Sequence, residues 1–353
     1  MRARRRAFET RRSGKARSCN ADARPPLTLD KAAGAFALLA PYERLLLAVS
    51  GGPDSIALML LCAQWPERAS HEIAVATVDH GLRADARAEA EQVGEWARTL
   101  GFAHHLLSWE GEKPQTRIQE RARAARYALL ADCAKTVSAG AIVTAHHADD
   151  QAETILFRLT RGSGVSGLAG MAPRSNTHGA PLLRPLLGFT KSELVEICEN
   201  AGHRFFSDPS NANEAYTRAR LRKLMPLLAE QGLDRTALLR LGERAARAEA
   251  ALASCAAAAH ERALTETAPA LAGFDAGALT ALPLDILQRL LAREIARLAP
   301  QAQLRLDRLE RAADRLSRAL REKAPLRLTI ADLLIESDGN NVTLRPAPPR
   351  RSA

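Results

Sequence analysis

Short apolar runs recur along the first 190 residues of the chain and alternate with longer segments of helical periodicity. Runs so rich in Leu, Val, Ile and Ala are typical of strands that are buried on both faces of a parallel sheet. The predicted strands cover residues 44–49, 73–78, 103–107, 141–145 and 182–183. Strands that alternate with helices at this spacing predict an α/β fold with a doubly wound parallel sheet.

The pattern becomes mainly helical from about residue 191. Helices are predicted over residues 192–200, 218–230, 236–264, 284–298 and 304–322, and short strands over residues 326–330, 333–336 and 342–344. We therefore expect a second, mainly helical C-terminal domain over residues 216–345, after an α/β domain over residues 27–215, with a tail over residues 346–353.

The first predicted strand ends in a turn that is suited to bind an anion. Its two glycines allow backbone conformations that other residues avoid, and they let a ligand approach without a Cβ in the way. A proline and two polar residues that favour helix starts come next. This arrangement directs free N–H groups and the positive end of a helix dipole at one point. The candidate phosphate-binding residues are Ser50, Gly51, Gly52, Pro53, Asp54 and Ser55.

Two common nucleotide-binding motifs do not account for this turn. A Walker loop needs a lysine after its second glycine, and no such lysine follows Gly52. A dinucleotide fingerprint needs three spaced glycines after a strand. Residues 162–167 match that spacing, but they follow a predicted helix, so we interpret them as a mobile loop.

Two further polar clusters follow predicted strands, at the sheet edge where doubly wound folds bind ligands. Asp79 and His80 follow the second strand, and the segment from His146 to Glu153 follows the fourth. Asp149 and Glu153 are four residues apart, which places both carboxylates on one face of a helix. Such a pair can hold Mg²⁺ or bind the ammonium group of an amine substrate. His80 has two interpretations, a satisfied turn residue or a catalytic base.

The turn Ser-Gly-Gly-x-Asp-Ser resembles the pyrophosphate loop of the PP-loop ATP-pyrophosphatase family, which splits ATP into AMP and pyrophosphate while it adenylates a substrate. Later motifs, in their order and spacing, resemble the tRNA(Ile)-lysidine synthetase branch of that family. These motifs are Val78-Asp79-His80-Gly81-Leu82-Arg83, Arg123-x-x-Arg126-Tyr127, Thr144-Ala145-His146-His147-x-Asp149-Asp150-Gln151-x-Glu153-Thr154, Arg161-Gly162-Ser163-Gly164 and Gly167-Leu168-x-Gly170-Met171. The helical remainder is similar to the tRNA-contacting domain of that branch only in its position and character.

The resemblance implies a reaction and its partners. Enzymes of this branch adenylate the carbonyl at position 2 of the wobble cytidine of tRNA(Ile) with a CAU anticodon, and L-lysine then displaces AMP. The implied cofactors are ATP and Mg²⁺, with Asp54 as the candidate metal ligand, and a homodimer is one candidate assembly. The residues expected in catalysis are Asp54, His80, Asp149 and Glu153. Those expected to contact lysine or tRNA are Asp149, Asp150, Glu153, Arg158, Arg161, Arg218, Arg220 and Arg222.

A further basic group has two interpretations. The last predicted helix carries four arginines beside its apolar stripe: Arg308, Arg311, Arg315 and Arg318. Asp307 and Asp314 precede two of these arginines by four residues, so the group can form a salt-bridged surface. Alternatively, this basic face of the helix binds along the phosphate backbone of an RNA.

Other functions stay open as alternatives. A tRNA thiolase of the same loop family needs a cysteine pair to carry sulfur, and the five cysteines are scattered without a Cys-x-x-Cys. An amide-forming ligase needs a glutaminase source of ammonia, and no such domain is evident. A third alternative is a non-catalytic RNA-binding protein with a vestigial loop. The intact Asp54 and the Asp149–Glu153 pair argue against this last alternative.

Charge and cysteine usage bear on the first residues and on the location. The net charge is +10 at pH 7, and residues 1–26 hold nine basic and two acidic residues. We expect a disordered basic arm there. The arm either attracts nucleic acid or is present only because the start codon is misassigned. It lacks the apolar segment of a secretory signal. The scattered cysteines predict reduced thiols and a cytoplasmic location, and no apolar run is long enough for a transmembrane helix.

Overall fold

The computed structural model describes residues 27–81, 85–111, 118–206, 217–302 and 304–348. The expected basic arm, residues 82–84 of one motif and residues 349–353 of the expected tail lie outside these ranges. The chain divides into two compact units. The first comprises residues up to 150 together with residues 172–212, and the second comprises residues 151–171 together with residues from 213 onward.

The elements follow the order that the apolar pattern predicts, with several additions. The helices are α1 (Leu27–Phe36), α2 (Pro53–Ala63), α3 (Ala86–Thr99), α4 (Ile118–Thr136), α5 (Ala148–Leu159), α6 (Val165–Leu168), α7 (Lys191–Asn200), α8 (Thr217–Glu230), α9 (Arg235–Ala263), α10 (Ala276–Thr280), α11 (Leu284–Leu298) and α12 (Leu306–Glu322). The strands are β1 (Arg44–Ala48), β2 (Glu72–Asp79), β3 (Ala103–Ser108), β4 (Ala141–Val143), β5 (Arg174–Thr177), β6 (Ala180–Leu183), β7 (Leu264–Ala268), β8 (Leu271–Asp275), β9 (Leu326–Ile330), β10 (Leu333–Ser337) and β11 (Asn341–Pro346).

A six-stranded sheet in the order β3-β2-β1-β4-β6-β5 forms the centre of the first unit. Strand β1 lies inside this sheet and pairs in parallel with β2 on one side and with β4 on the other. The pairs β2–β3 and β4–β6 are also parallel. The prediction of a doubly wound α/β fold is therefore confirmed.

The residues of β1 alternate between the two faces of the sheet, and both faces are buried. Leu45 and Leu47 belong to the core cluster that includes α2, whereas Leu46 packs with Leu130 of α4 on the opposite face. Full burial of a leucine side chain contributes roughly 1.5–3 kcal/mol. An uninterrupted apolar run is thus what a strand in this position requires, and this requirement explains why the sequence signal is strong here.

The apolar pattern did not predict the edge strand β5. This strand consists of polar residues, and it pairs in antiparallel fashion with β6. His178 and Gly179 join the two strands with positive φ angles of 46° and 80°. Two positive φ angles in a two-residue connection are characteristic of a tight hairpin turn. An edge strand does not need an apolar face on both sides, so its sequence carries no apolar run.

The second unit contains a five-stranded antiparallel sheet in the order β7-β8-β11-β10-β9. Helices α11 and α12 pack in one core with this sheet, and the predicted apolar stripe of α12 is buried there: Leu309, Ala313, Leu316 and Leu320. The helical character of the C-terminal part is confirmed, but its sheet has two more strands than the three predicted. Strand β7 continues directly from α9, and its residues are mostly exposed, so neither an apolar run nor a break in the pattern marks it.

Two expectations about the whole chain can be checked within the described residues. None of the helices that the structure describes is both long and apolar enough to cross a membrane. The cysteines in the described ranges are free thiols: Cys62, Cys133, Cys198 and Cys255.

Candidate functional site

The loop after β1 can only be built around a glycine. Gly51 has a φ of 87°, in the left-handed region that side chains other than glycine rarely adopt. A Cβ at this position would lie 2.8 Å from Cδ2 of Phe206 and 3.0 Å from Cγ2 of Val93. The N–H of Phe206 also donates to the Gly51 carbonyl at 2.9 Å. A segment about 150 residues further along the chain therefore packs directly against this turn.

Ser55 closes the loop from the inside. The N–H of Ser50 donates to Ser55 Oγ at 3.1 Å, and Ser55 Oγ donates to the carbonyl of Gly52 at 3.0 Å. Ser55 is buried, so these bonds are shielded from water. The thiol of Cys198 on α7 donates to the Pro53 carbonyl at 3.4 Å and supports the loop from outside. Burial, reinforced by the charge of Asp54, raises the pKa of Cys198 to about 12, so it stays protonated and able to donate.

The start of α2 has no side-chain cap. Gly52 occupies the N-cap position and Pro53 the first helical position, and no side chain accepts from the first N–H groups of the helix. Uncapped N–H groups at a helix start carry a partial positive charge and bind phosphates. The predicted anion site therefore has the backbone geometry that it requires.

Three carboxylates surround a buried histidine at this site. Nε2 of His147 lies 3.5 Å from Asp54 Oδ2 and 3.5 Å from Asp150 Oδ2, and Nδ1 lies 3.6 Å from Asp149 Oδ2. Burial lowers the pKa of His147, but hydrogen bonds to Asp149 and Asp54 and the charges of Asp150 and Asp54 outweigh it. The amide N–H groups of Asp149 and Asp150 approach Nδ1 at 3.2 and 3.4 Å and oppose its protonation. The net effect is a pKa above the ordinary value for histidine.

Asp54 has one oxygen without any protein partner. Its Oδ1 atom is buried and accepts no hydrogen bond, while its Oδ2 atom faces His147. A buried polar atom left unpaired costs about 1–3 kcal/mol, and more for a charged group. Such an atom is unfavourable in the free protein and becomes favourable when a cation binds to it. Asp54 thus fits the role of a cation ligand.

The remaining carboxylates after β4 are tied to the protein framework. The N–H of Lys191, at the start of α7, donates to Asp149 Oδ2 at 2.8 Å. Asp150 Oδ2 accepts from the N–H of His147 at 3.2 Å. His146 Nδ1 lies 2.8 Å from Thr144 Oγ1. These bonds hold the start of α5 in one orientation, with the carboxylates of Asp149 and Asp150 next to His147.

His80 lies at the end of β2, as the sequence predicts. Its half-buried ring meets Trp109 edge to face, with the ring centroids 6.2 Å apart. The neighbouring Asp79 accepts from the N–H of Gly81 through Oδ1 at 2.8 Å. Asp79 therefore has the satisfied turn geometry that was one interpretation of this cluster, and the role of His80 stays a prediction.

Glu153 forms an ion pair within the second unit that the sequence analysis did not anticipate. Its Oε1 accepts from Nε of Arg222 at 2.6 Å, and its Oε2 accepts from a terminal guanidinium nitrogen at 3.0 Å. Glu153 is buried, with a side chain that is 11% exposed. Two parallel bonds of this kind fix the orientation of both side chains.

The other predicted substrate-binding arginines have varied surroundings. Arg158 donates to the carbonyls of Gly167 and Gly170 at 2.8 and 2.7 Å, so it holds the glycine-rich segment. Arg161 lies over the ring of Phe157, with the guanidinium carbon 4.1 Å from the ring centroid. Arg220 is exposed on α8. The side chain of Arg218 lies outside the described part of the structure.

Hydrogen bonds from α5 hold the glycine-rich segment over residues 162–171 in place. Gln151 accepts from the N–H of Met171 at 2.7 Å and donates to its carbonyl at 2.9 Å. Residues 165–168 form the short helix α6. Together with Arg158, Gln151 thus fastens both the middle and the end of the segment that the sequence analysis interprets as a mobile loop.

Comparison with known proteins places much of the chain in a known domain family. The PP-loop domain family matches residues 28–228. A tRNA(Ile)-lysidine synthase from Methylobacterium sp. (strain 4-46) is 49% identical over 309 residues, which cover 86% of this chain and 89% of that protein. A tRNA(Ile)-lysidine synthase from Bradyrhizobium sp. (strain BTAi1 / ATCC BAA-1182) is 44% identical over 345 residues, with coverages of 92% and 96%.

A solved structure supports the fold assignment independently. The U34-tRNA thiolase NcsA from Methanococcus maripaludis, solved with its [4Fe-4S] cluster, superimposes with a TM-score of 0.52. The match covers 61% of this chain and 78% of the thiolase, at 14% sequence identity. At that identity the likeness concerns the fold alone.

Proposed function

The chain belongs to the tRNA(Ile)-lysidine synthase family of PP-loop proteins, and from this premise we propose that it ligates L-lysine to position 2 of the wobble cytidine in tRNA(Ile) with a CAU anticodon. The reaction consumes ATP and yields lysidine, AMP and pyrophosphate. A cytoplasmic location follows from the tRNA substrate. The observation that carries the proposal is the buried, unpartnered oxygen of Asp54 at the uncapped start of α2.

The loop after β1 serves the first step, in which the cytidine is adenylated. The oxygen at position 2 of the cytidine attacks the α-phosphorus of ATP, and the bond to pyrophosphate breaks. Negative charge builds up on the departing pyrophosphate. The free N–H groups at the start of α2 stabilise that charge because they are fixed in place before the reaction begins.

The carboxylate of Asp54 fits Mg²⁺ that arrives with ATP. Magnesium is usually held by one or two carboxylates together with substrate phosphates. The ion would neutralise phosphate charge there. Asp54 is the residue that would hold it, through the oxygen that has no protein partner.

The acidic start of α5 serves the second step. Lysine brings positively charged ammonium groups, and Asp149 and Asp150 supply negative charge at one place. Glu153, held by Arg222, is the third carboxylate proposed for lysine recognition. A lysine amine must lose a proton before it attacks carbon 2 and displaces AMP, and Asp149 and His80 are the proposed bases.

Basic residues on α8 are proposed to contact the tRNA in the same reaction. Arg220 and Lys223 are exposed there, and guanidinium and ammonium groups are the usual partners of RNA phosphates. Arg161, also exposed, is proposed to join them.

Incorporation of labelled lysine into transcripts with a CAU anticodon tests the proposal. We expect ATP-dependent incorporation into tRNA(Ile), release of one pyrophosphate per lysine, and little incorporation into methionine tRNA with the same anticodon. Pyrophosphate release without lysine incorporation would indicate another adenylating tRNA enzyme. Absence of both activities, from protein that melts cooperatively, would favour the non-catalytic alternative.

A further inference from the structure

Four of the five arginines of α12 divide into two pairs with different surroundings. Arg311 pairs with Asp307 at 2.6 Å, and Arg318 pairs with Asp314 at 3.1 Å, so these two arginines form the salt-bridged surface that was one interpretation of the sequence. The guanidinium groups of Arg308 and Arg315 form no hydrogen bond or ion pair with any other described residue. Both are exposed. The charges of these two arginines are therefore uncompensated by an acidic partner among the described residues, as is that of Arg321, whose guanidinium donates to the Ser317 hydroxyl.

Arg308 and Arg315 line a cleft between α12 and the β9–β10 hairpin. A cavity of 480 Å³ is lined by Arg308, Arg311 and Arg315 on the helix side. A second cavity of 730 Å³ adjoins it, and Arg315 lines both of them. Arg327, which also pairs with Glu336 at 3.4 Å, lines the second cavity. The surroundings are thus basic over the whole length of the cleft.

A tight hairpin turn forms the wall of the cleft opposite α12. Ala331 and Asp332 connect β9 to β10 with φ angles of 49° and 59°. Positive φ angles at both central residues are what a two-residue hairpin turn requires, and aspartate tolerates this conformation better than alanine does. Asp332 is the one acidic residue among those that line the two cavities, against four arginines. The net charge of the lining is therefore positive.

We propose that Arg308 and Arg315 form a phosphate-binding cleft for the tRNA backbone. The inference rests on the proposed function, since it assigns a contact to the same tRNA substrate. Seven helical residues separate the two guanidinium groups, which corresponds to a rise of roughly 10 Å. That separation suits a chain of phosphates better than a single small anion. Guanidinium groups also match phosphate oxygens through paired N–H donors.

Two double variants with the same change in charge test the inference. The cleft variant is Arg308→Gln with Arg315→Gln, and the matched control is Arg318→Gln with Arg321→Gln, two arginines of α12 that line neither cavity. Each removes two charges from the exposed surface of one helix, but only the first changes residues that line the cavities. Thermal melts of the full-length proteins check that both variants fold.

The affinity for tRNA(Ile) at several salt concentrations is the readout. We expect the cleft variant to bind several-fold more weakly than the control at low salt. Its log–log salt slope should be shallower by roughly 0.7–0.9 for each phosphate contact that is lost. A charge-retaining variant, Arg308→Lys with Arg315→Lys, should keep most of the slope and lose part of the affinity. ATP binding without tRNA should be the same in all variants.

Equal affinities for the cleft variant and the control would overturn the inference, whether both fall or neither does. Lysine incorporation by the wild-type protein, measured in the same preparations, keeps this failure distinct from failure of the proposed function. If the wild type incorporates lysine and the two variants bind tRNA equally, the function stands and the cleft assignment is wrong. A change in self-association without a change in tRNA affinity would assign the cleft to a second copy of the chain instead.

Discussion

Two places in this protein present polar or charged atoms that have no protein partner, and they differ in burial. Asp54 Oδ1 is buried at the start of α2, whereas Arg308 and Arg315 are exposed on α12. A buried oxygen without a partner destabilises the free protein, while an unpaired exposed arginine is solvated by water at little cost. The first arrangement therefore becomes more favourable when a cation contacts the free oxygen. The second can add affinity for a polyanion without being required for the chemistry.

The largest effect should come from Asp54→Asn, which removes the charge but keeps the shape. We expect kcat for lysine incorporation to fall at least 100-fold, which corresponds to about 2.7 kcal/mol. The melting temperature should change little, because Asn keeps the shape of the side chain and His147 keeps the carboxylates of Asp149 and Asp150 as neighbours. Asp132→Asn, an exposed carboxylate on α4, is the control and should change neither quantity. Near-normal turnover in Asp54→Asn would show that the Asp54 carboxylate is not required for the reaction.

The second expected effect concerns the shape of the phosphate loop. Gly51→Ala introduces a Cβ 2.8 Å from the Phe206 ring in a backbone conformation that costs alanine roughly 1–2 kcal/mol. We expect at least a tenfold loss in kcat/KM and a lower melting temperature. Gly34→Ala on α1 is the matched control, since no atom lies within 4 Å of the added Cβ, and it should be neutral or slightly stabilising. Comparable activity of the two variants would mean that the loop tolerates distortion.

A third test examines a charge that the protein itself compensates, the Glu153–Arg222 pair. Glu153→Gln should destabilise the protein by about 1–3 kcal/mol because it disrupts the ion pair between the buried carboxylate and the guanidinium group of Arg222. Arg222→Gln should cost at least as much, because it leaves the buried carboxylate of Glu153 without its partner, whereas Arg222 is about half exposed and is solvated when Glu153 is replaced. The double variant should be little worse than the worse single one, as expected for two groups that act together. Chemical denaturation gives the free energy of unfolding of the three variants. If the loss in the double variant equals the sum of the two single losses, the two side chains are not coupled.

The smallest effect should come from the cap of α7, which holds Lys191 next to Asp149. Burial raises the pKa of Glu193, but hydrogen bonds from Lys31 and from the N–H and hydroxyl of Thr190 outweigh it and lower the pKa below its ordinary value. A lowered folded-state pKa contributes stability that is present above the unfolded-state value and is lost as the pH falls through the folded-state value.

The variant Glu193→Gln should therefore melt a few degrees below the wild type at pH 7, and the difference should close in acid, below the ordinary pKa of 4.5. Glu196→Gln, an exposed position on the same helix, supplies the control and should show no such pH dependence. A constant difference from pH 7 down to pH 3 would mean that packing, and not the charge of Glu193, makes the contribution.

Local features of the sequence were sufficient for the phosphate loop and for its strand. The apolar run through Leu45 and Leu47 encodes a strand that is buried on both faces, and the glycine pair encodes a turn with positive φ. Both properties depend on residues within a few positions of each other. They could be inferred before any contact was known, and Asp54 could be placed in the turn for the same reason.

Other features depended on which distant segments meet. His147 lies 93 residues after Asp54, and Arg222 lies 69 residues after Glu153, yet both pairs are in contact. The sequence places each of these residues on its own helix or turn but does not specify its partner, because that choice is made by the order of strands in the sheet and by the packing of helices. Strands β7 and β8 are another example. Their apolar pattern is mostly weak, and they become identifiable as strands only because β8 pairs with β11 and β7 pairs with β8.

The four arginines of α12 show this division within a single helix. Their periodicity, their exposure and the two i,i+4 acidic partners were determined by the sequence, since helical geometry alone brings residues four apart together. Which arginines stay uncompensated beside a cleft was decided by the tertiary structure, because the β9–β10 hairpin forms the opposite wall. Short-range geometry is encoded locally, whereas the surroundings of a side chain are set by parts of the chain that fold against it.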